Sequence, residues 1–182
     1  NHIILEDDET VSPDLESEIS NSNKIIISKI GDEPVEIAKV EEINIDELSN
    51  IYLNLQKQGA NNINLVTPTH YVPSIIKSLE LAKEKGLNIP IVYNTSSYET
   101  KETMDLLKGN IDIYLPDLKY FNDDIAVKYS KCPKYFHHAT LALEEMYRQV
   151  GKNIFDENGM LVKGMVVRHL MLPTHLEDSK KI

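Results

Sequence analysis

The chain has 182 residues, 41% apolar and 26% charged, with no Trp, one Cys and a formal net charge of -10. That length suits one domain with a real core. The single thiol excludes a disulfide framework, a four-cysteine zinc site and an iron–sulfur site built from this sequence's own cysteines, while the acidic balance argues against a nucleic-acid surface.

The charge is unevenly placed. Residues 1–50 hold fourteen Asp and Glu against three Lys, a net of -11, which leaves residues 51–182 at +1. No apolar run reaches the length of a bilayer span, and the first residues, Asn1-His2-Ile3-Ile4-Leu5-Glu6, lack the basic region of a secretion signal, so a cytoplasmic protein with no membrane contact is expected.

Residues 1–23 are acidic, Ser-rich and poor in apolar side chains, which predicts a mobile arm suited to a basic partner. Residues 24–182 are expected to form the folded domain. Ile25-Ile26-Ile27-Ser28 reads as a first, buried strand, followed by a polar loop. Asn44 with Glu47 three residues on marks a helix start, and Leu48, Ile51, Tyr52 and Leu55 give it one apolar face before the Gly59 stop. Residues 63–66 are the second strand; Pro73 then opens a helix with Ile75, Leu79 and Ala82 inward, stopped by Gly86. The unit repeats: a strand over 89–93, a helix over 99–108, a strand over 111–115, a longer helix carrying Ala139, Leu143, Met146 and Val150, and a last strand over 165–167. Such alternation predicts an α/β fold with a parallel sheet, open or barrel-like.

Sites in parallel α/β folds gather at the C-terminal ends of strands. Here those ends carry Thr67-Pro68-Thr69-His70, Asn94-Thr95-Ser96-Ser97, Asp117-Leu118-Lys119 and Arg168-His169. As a set they point to a polar-ligand pocket on one rim of a barrel-like sheet. Taken singly, each has a plain alternative: Thr67, Asn94 and Ser97 as turn or cap residues, Asp117 and Lys119 as a structural ion pair, His70 and His169 as hydrogen-bonded strand ends. Arg168 suits a carboxylate or phosphate. His137 and His138 read as surface polarity on the long helix, and Cys132 as a packed bystander. The usual phosphate-loop, zinc-protease and serine-hydrolase motifs are missing from the sequence.

Residues 59–73, 91–99, 112–120, 145–151 and 167–173 together resemble the radical S-adenosylmethionine superfamily, in the branch similar to pyruvate formate-lyase activating enzyme. The resemblance runs in family order over residues 44–175. It implies a partial (β/α) barrel, incomplete at both ends, that binds S-adenosylmethionine against a [4Fe–4S] cluster and forms a 5′-deoxyadenosyl radical. By position in the motifs, Thr67, Thr69, His70, Asn94, Asp117, Lys119, Arg168 and His169 would line the cofactor pocket, and a protein substrate is a possible partner class.

One element of that family is missing. With residues 25–28 as the first strand, the cluster-binding C-x3-C-x2-C positions fall at Ile30, Pro34 and Ile37, and one Cys in the chain cannot supply three thiolates. The expectation is therefore a radical S-adenosylmethionine relative whose cluster chemistry is lost. The alternatives are a binding or regulatory protein that senses S-adenosylmethionine, and a metal or Schiff-base lyase using His70, Asp117, Lys119 and His169 on the same rim.

Overall fold

In the computed structural model, residues 3–4, 25–29 and 39–182 are described, with side chains from Glu42 onward. Of the acidic stretch, residues 1–23, only Ile3 and Ile4 are described, as a short strand; the rest of it and the positions Ile30, Pro34 and Ile37 lie outside the described residues. Elements are numbered in chain order within two compact units, Asn1–Ile89 and Pro90–Ile182.

The first unit is organised by a reciprocal cap. Asn44 Oδ1 accepts from the Glu47 backbone N–H at 2.9 Å, and the Glu47 carboxylate accepts from the Asn44 N–H at 2.8 Å. This satisfies two of the donors that a helix start leaves open, and α1 (Ile45–Lys57) begins where the spacing predicts. Leu48 and Tyr52 are buried against α2 (Val72–Glu84), whose Ile75, Leu79 and Ala82 form the matching stripe, with Pro73 in its first turn. Burying side chains of this size contributes roughly 1.5–3 kcal/mol each. Gln56 fastens the far end of α2, donating to Gly86 O at 3.0 Å and accepting from the Asn88 N–H at 2.8 Å. The strands of this unit run in the order β3 (Lys39–Ile43), β2 (Ile25–Lys29), β1 (Ile3–Ile4), β4 (Ile63–Val66).

The strand expected at 25–28 is present but does not lie parallel as a first barrel strand would. It pairs antiparallel with β1 and with β3, the latter in register from Ile25↔Ile43 to Lys29↔Lys39. The connection to β3, residues 30–38, is too short for the dozen or more residues that a parallel crossover needs. Charged residues at 39, 41 and 42 disguise β3 as part of a polar loop.

In the second unit the order is β5 (Ile91–Thr95), β6 (Ile113–Pro116), β8 (Leu161–Met165), β7 (Ile154–Phe155). β5, β6 and β8 are parallel, with Val92↔Ile113 and Tyr114↔Met165 in register, and only β7 is antiparallel. The α/β class and the mostly parallel sheet are thus as expected. α3 (Lys101–Leu107) is capped by the Thr100 hydroxyl, and α5 (Tyr135–Val150) buries Ala139, Met146 and Val150 as its spacing predicts. The expected last strand begins earlier, at Leu161, and its chain continues to a parallel bridge between Arg168 and Asp117. A helix that the spacing does not reveal, α4 (Asp123–Ser130), starts at the Asn122 cap; only Ala126 of it is fully buried, too little for a readable stripe.

Period-two alternation divides the side chains of this sheet. Tyr93 and Tyr114 meet edge-on at 6.0 Å on the face that carries α5, where the Tyr114 hydroxyl donates to Gln149 at 2.7 Å. Asn94, Leu115 and Asp117 lie on the opposite face by the same register.

Among the described residues no helix is long and apolar enough to cross a membrane.

Candidate functional site

The tips of β5, β6 and β8 are joined by one guanidinium. Arg168 Nε donates to Asp117 Oδ1 and Arg168 Nη2 to Asn94 Oδ1, both at 2.7 Å. Backbone hydrogen bonds place these side chains: Asp117 N–H donates to Thr95 O at 2.9 Å, Arg168 N–H to Pro116 O at 2.8 Å, and Leu118 N–H to Arg168 O at 2.8 Å. Lys119 Nζ stands 3.5 Å from Asp117 Oδ2. Two cations therefore share one carboxylate, leaving this cluster one positive charge in excess, which favours an anionic ligand group such as a carboxylate. The anion that Arg168 holds is thus Asp117 of the same chain.

His169 sits beside this cluster with Nδ1 2.7 Å from Leu118 O. A carbonyl only accepts, so Nδ1 carries the proton, and Nε2 is the acceptor of the neutral ring. The loop beneath is fixed by Tyr135 at the start of α5: its hydroxyl accepts from the Lys119 N–H at 3.1 Å and shares its proton between Ser96 O and Asp117 O, each at 2.9 Å. Burial pushes this phenol above its ordinary pKa, so it stays a donor. Sequence reasoning does not single out Tyr135. Within its helix it looks like one more core aromatic, and the loop it supports lies 16 and 39 residues away in the chain.

Ser97 follows in a left-handed conformation, φ 68, with its hydroxyl buried and without a hydrogen-bond partner among the described residues. Non-glycine residues pay roughly 1–2 kcal/mol for that geometry, and such strain concentrates at ligand sites.

Thr67, Thr69 and His70 belong to the first unit. They follow β4, Thr67 with φ 50 and Thr69–Tyr71 as a single 3-10 turn that leads into α2. Positive φ on a β-branched residue is uncommon and repeats at this tip the strain seen at Ser97. The structure thus brings Asn94, Asp117, Lys119 and Arg168 into one cluster with His169 beside it, and places Thr67, Thr69 and His70 together on another tip.

The remaining expected bystanders are partly as read. His137 is exposed, whereas His138 is half-buried with its ring 5.3 Å from that of Tyr98. Cys132 packs against the cluster of Leu118, Tyr120, Ala126, Tyr135 and Ala139, donates to Ser130 O at 3.1 Å, and has its thiol pKa raised by burial. Among the described residues no three His, Cys, Asp or Glu side chains are grouped to hold a metal ion.

No family model matches the chain. It is 33% identical over 126 residues to an uncharacterised protein of Methanocaldococcus jannaschii, a match that covers 67% of this chain and 32% of that protein. The chain thus spans about a third of the length of the relative it matches.

Proposed function

We propose that the chain is a radical S-adenosylmethionine-type partial (β/α) barrel of the activating-enzyme branch, acting in the cytoplasm, whose strand-tip cluster binds S-adenosylmethionine while the sequence supplies no cluster thiolates. The observation that carries the reading is the Asn94–Arg168–Asp117–Lys119 cluster on three parallel strand ends, at positions that the resembling segments assign to the cofactor. The excess cation fits the cofactor's carboxylate, and the buried Ser97 hydroxyl offers a further donor. Lys119 would take the carboxylate, Arg168 and Asn94 would hold Asp117 in place as an acceptor for an amino or hydroxyl group, and His169 Nε2 would accept a further donor. In the resembled family, S-adenosylmethionine supplies a 5′-deoxyadenosyl radical after reduction by a bound [4Fe–4S] cluster. The residues here do not fit that cluster: the single thiol, Cys132, is packed against apolar side chains and bonded to Ser130 O. The activity supported is binding without radical initiation by this chain alone.

Calorimetry with S-adenosylmethionine and S-adenosylhomocysteine tests the proposal. Binding of at least one is expected, weakened about tenfold or more by Lys119→Ala. A folded sample that binds neither overturns the cofactor site. Anaerobic reconstitution with iron and sulfide is expected to leave no stoichiometric cluster; one cluster per chain with reductive cleavage overturns the loss of radical chemistry.

A further inference from the structure

The chain beyond β8 runs beside the loop that carries Lys119 and is fastened to it on both sides of that residue. On the strand-tip side, the Leu118 N–H donates to Arg168 O at 2.8 Å and His169 Nδ1 donates to Leu118 O at 2.7 Å. Further on, a single helical turn, α6 (Leu176–Ser179), presents Asp178, whose Oδ2 accepts from the Phe121 N–H at 3.0 Å and whose Oδ1 accepts from the Asn122 N–H at 2.9 Å. Only Lys119 and Tyr120 lie between these anchor points, and Leu172 packs against the Leu118 and Tyr120 cluster there. Tyr135 takes the Lys119 N–H from α5, while Asp178 fixes the residues that follow. A carboxylate that accepts from two successive backbone donors sets both the position and the orientation of the peptide it holds. With four residues, α6 is far short of the roughly 12–15 that an isolated helix needs, so its contacts hold it in place. Besides Asp178 these include His175 Nε2, 3.0 Å from the Tyr129 hydroxyl, and Lys181 Nζ, 5.2 Å from the centre of the Phe121 ring.

We propose that Asp178 is a positioning residue of the strand-tip site, holding the Lys119 loop in the geometry that meets an anionic ligand group; this rests on the strand-tip cluster being the S-adenosylmethionine site. Lys119 is the cation in excess once Arg168 is paired with Asp117, so it is the group whose placement a bound carboxylate feels most. Its ammonium sits on a flexible stem, and the backbone beneath decides how much ordering is left for the binding step. With Asp178 in place, that ordering is complete before the ligand arrives. With α6 released, binding has to order the loop and the helical turn together. By linkage, a ligand held on Lys119 strengthens the docking of α6 to the same extent.

Calorimetry with S-adenosylmethionine and S-adenosylhomocysteine on the full chain tests this through a double-mutant cycle. Asp178→Ala is expected to weaken whichever of the two the wild type binds more tightly by about threefold to tenfold, and Asp178→Asn, which keeps one acceptor oxygen, to weaken it less. In a Lys119→Ala background, Asp178→Ala is expected to change the affinity by less than about twofold, because its effect passes through Lys119. A residue that only supports the fold would weaken both backgrounds alike. His175→Ala, which frees α6 from Tyr129, is expected to act in the same Lys119-dependent way and gives a second measure if Asp178→Ala fails to fold. Unchanged affinity in the folded variants, or an equal loss in the two backgrounds, overturns the positioning role and leaves the S-adenosylmethionine site standing. A folded wild type that binds neither ligand overturns both.

Discussion

Arg168 and Asp117 are joined twice: their backbones form a parallel bridge, and Arg168 Nε donates to Asp117 Oδ1 at 2.7 Å. The side-chain bond therefore locks a register that the backbone already favours. Arg168 is about half exposed, so solvent screens the pair, and a double-mutant cycle with Arg168→Ala and Asp117→Asn is expected to give a coupling of about 1 kcal/mol. Arg168→Lys is expected to recover less than half of it, because an ammonium cannot fork between Asp117 and Asn94. Urea unfolding of the wild type, the two single variants and their double variant measures the coupling, and Arg168→Lys alone and combined with Asp117→Asn measures how much of it is recovered.

Tyr135→Phe separates packing from hydrogen bonding at the strand-tip loop. The ring would remain in its core cluster, but the Lys119 N–H and the Ser96 and Asp117 carbonyls would lose a shared partner. A buried group left unsatisfied costs roughly 1–3 kcal/mol, so destabilisation in that range is expected in urea titrations. Faster amide exchange at Lys119 than at Tyr52, which lies in the other unit, would locate the effect at the loop.

Helices with a dense apolar stripe and a cap were legible in the sequence because both signals are local. Asn44 and Glu47 lie three residues apart, and Leu48 and Tyr52 repeat at helical spacing, so α1 begins where the pattern says. The strand tips were legible for a similar reason, since short β-branched runs such as Ile91-Val92-Tyr93 end in polar residues. What stayed hidden depends on residues far apart in the chain. Nothing near Arg168 says that its anion is Asp117, 51 residues earlier, and nothing near Tyr135 says that it holds Ser96. The antiparallel pairing of β2 depends on β3, where charged residues hide the strand.

Alkaline pH tests the buried phenols. The pKa values of Tyr52, Tyr114 and Tyr135 are all raised, in each case chiefly by burial. A raised native pKa means that the unfolded chain, with tyrosine near 10, loses its protons first as pH rises. The stabilisation is thus complete below about pH 10 and falls above it, by up to about 1.4 kcal/mol per pH unit for each tyrosine. Urea midpoints from about pH 9 to about pH 11 are expected to drop over that window, with tyrosinate absorbance appearing as the protein unfolds. Tyr52→Phe is expected to make the drop shallower.

Gly164 connects the hairpin to the strand-tip cluster. It has φ 136, and a Cβ there would lie 2.2 Å from Asn153 Oδ1 and 2.8 Å from Asn153 Cα. That same Oδ1 accepts from the Met165 N–H at 2.9 Å, so an added methyl would push away the side chain that fixes the end of β8. Backbone cannot yield as a flexible side chain can, and the positive φ adds its own strain. Gly164→Ala is therefore expected to destabilise the protein by roughly 2–3 kcal/mol in urea unfolding. Since Arg168 lies four residues beyond Gly164, the folded fraction of this variant is also expected to bind S-adenosylmethionine more weakly. Ala142→Gly, in the interior of α5, is expected to leave that affinity unchanged although it too is destabilising, which separates loss of register from loss of stability.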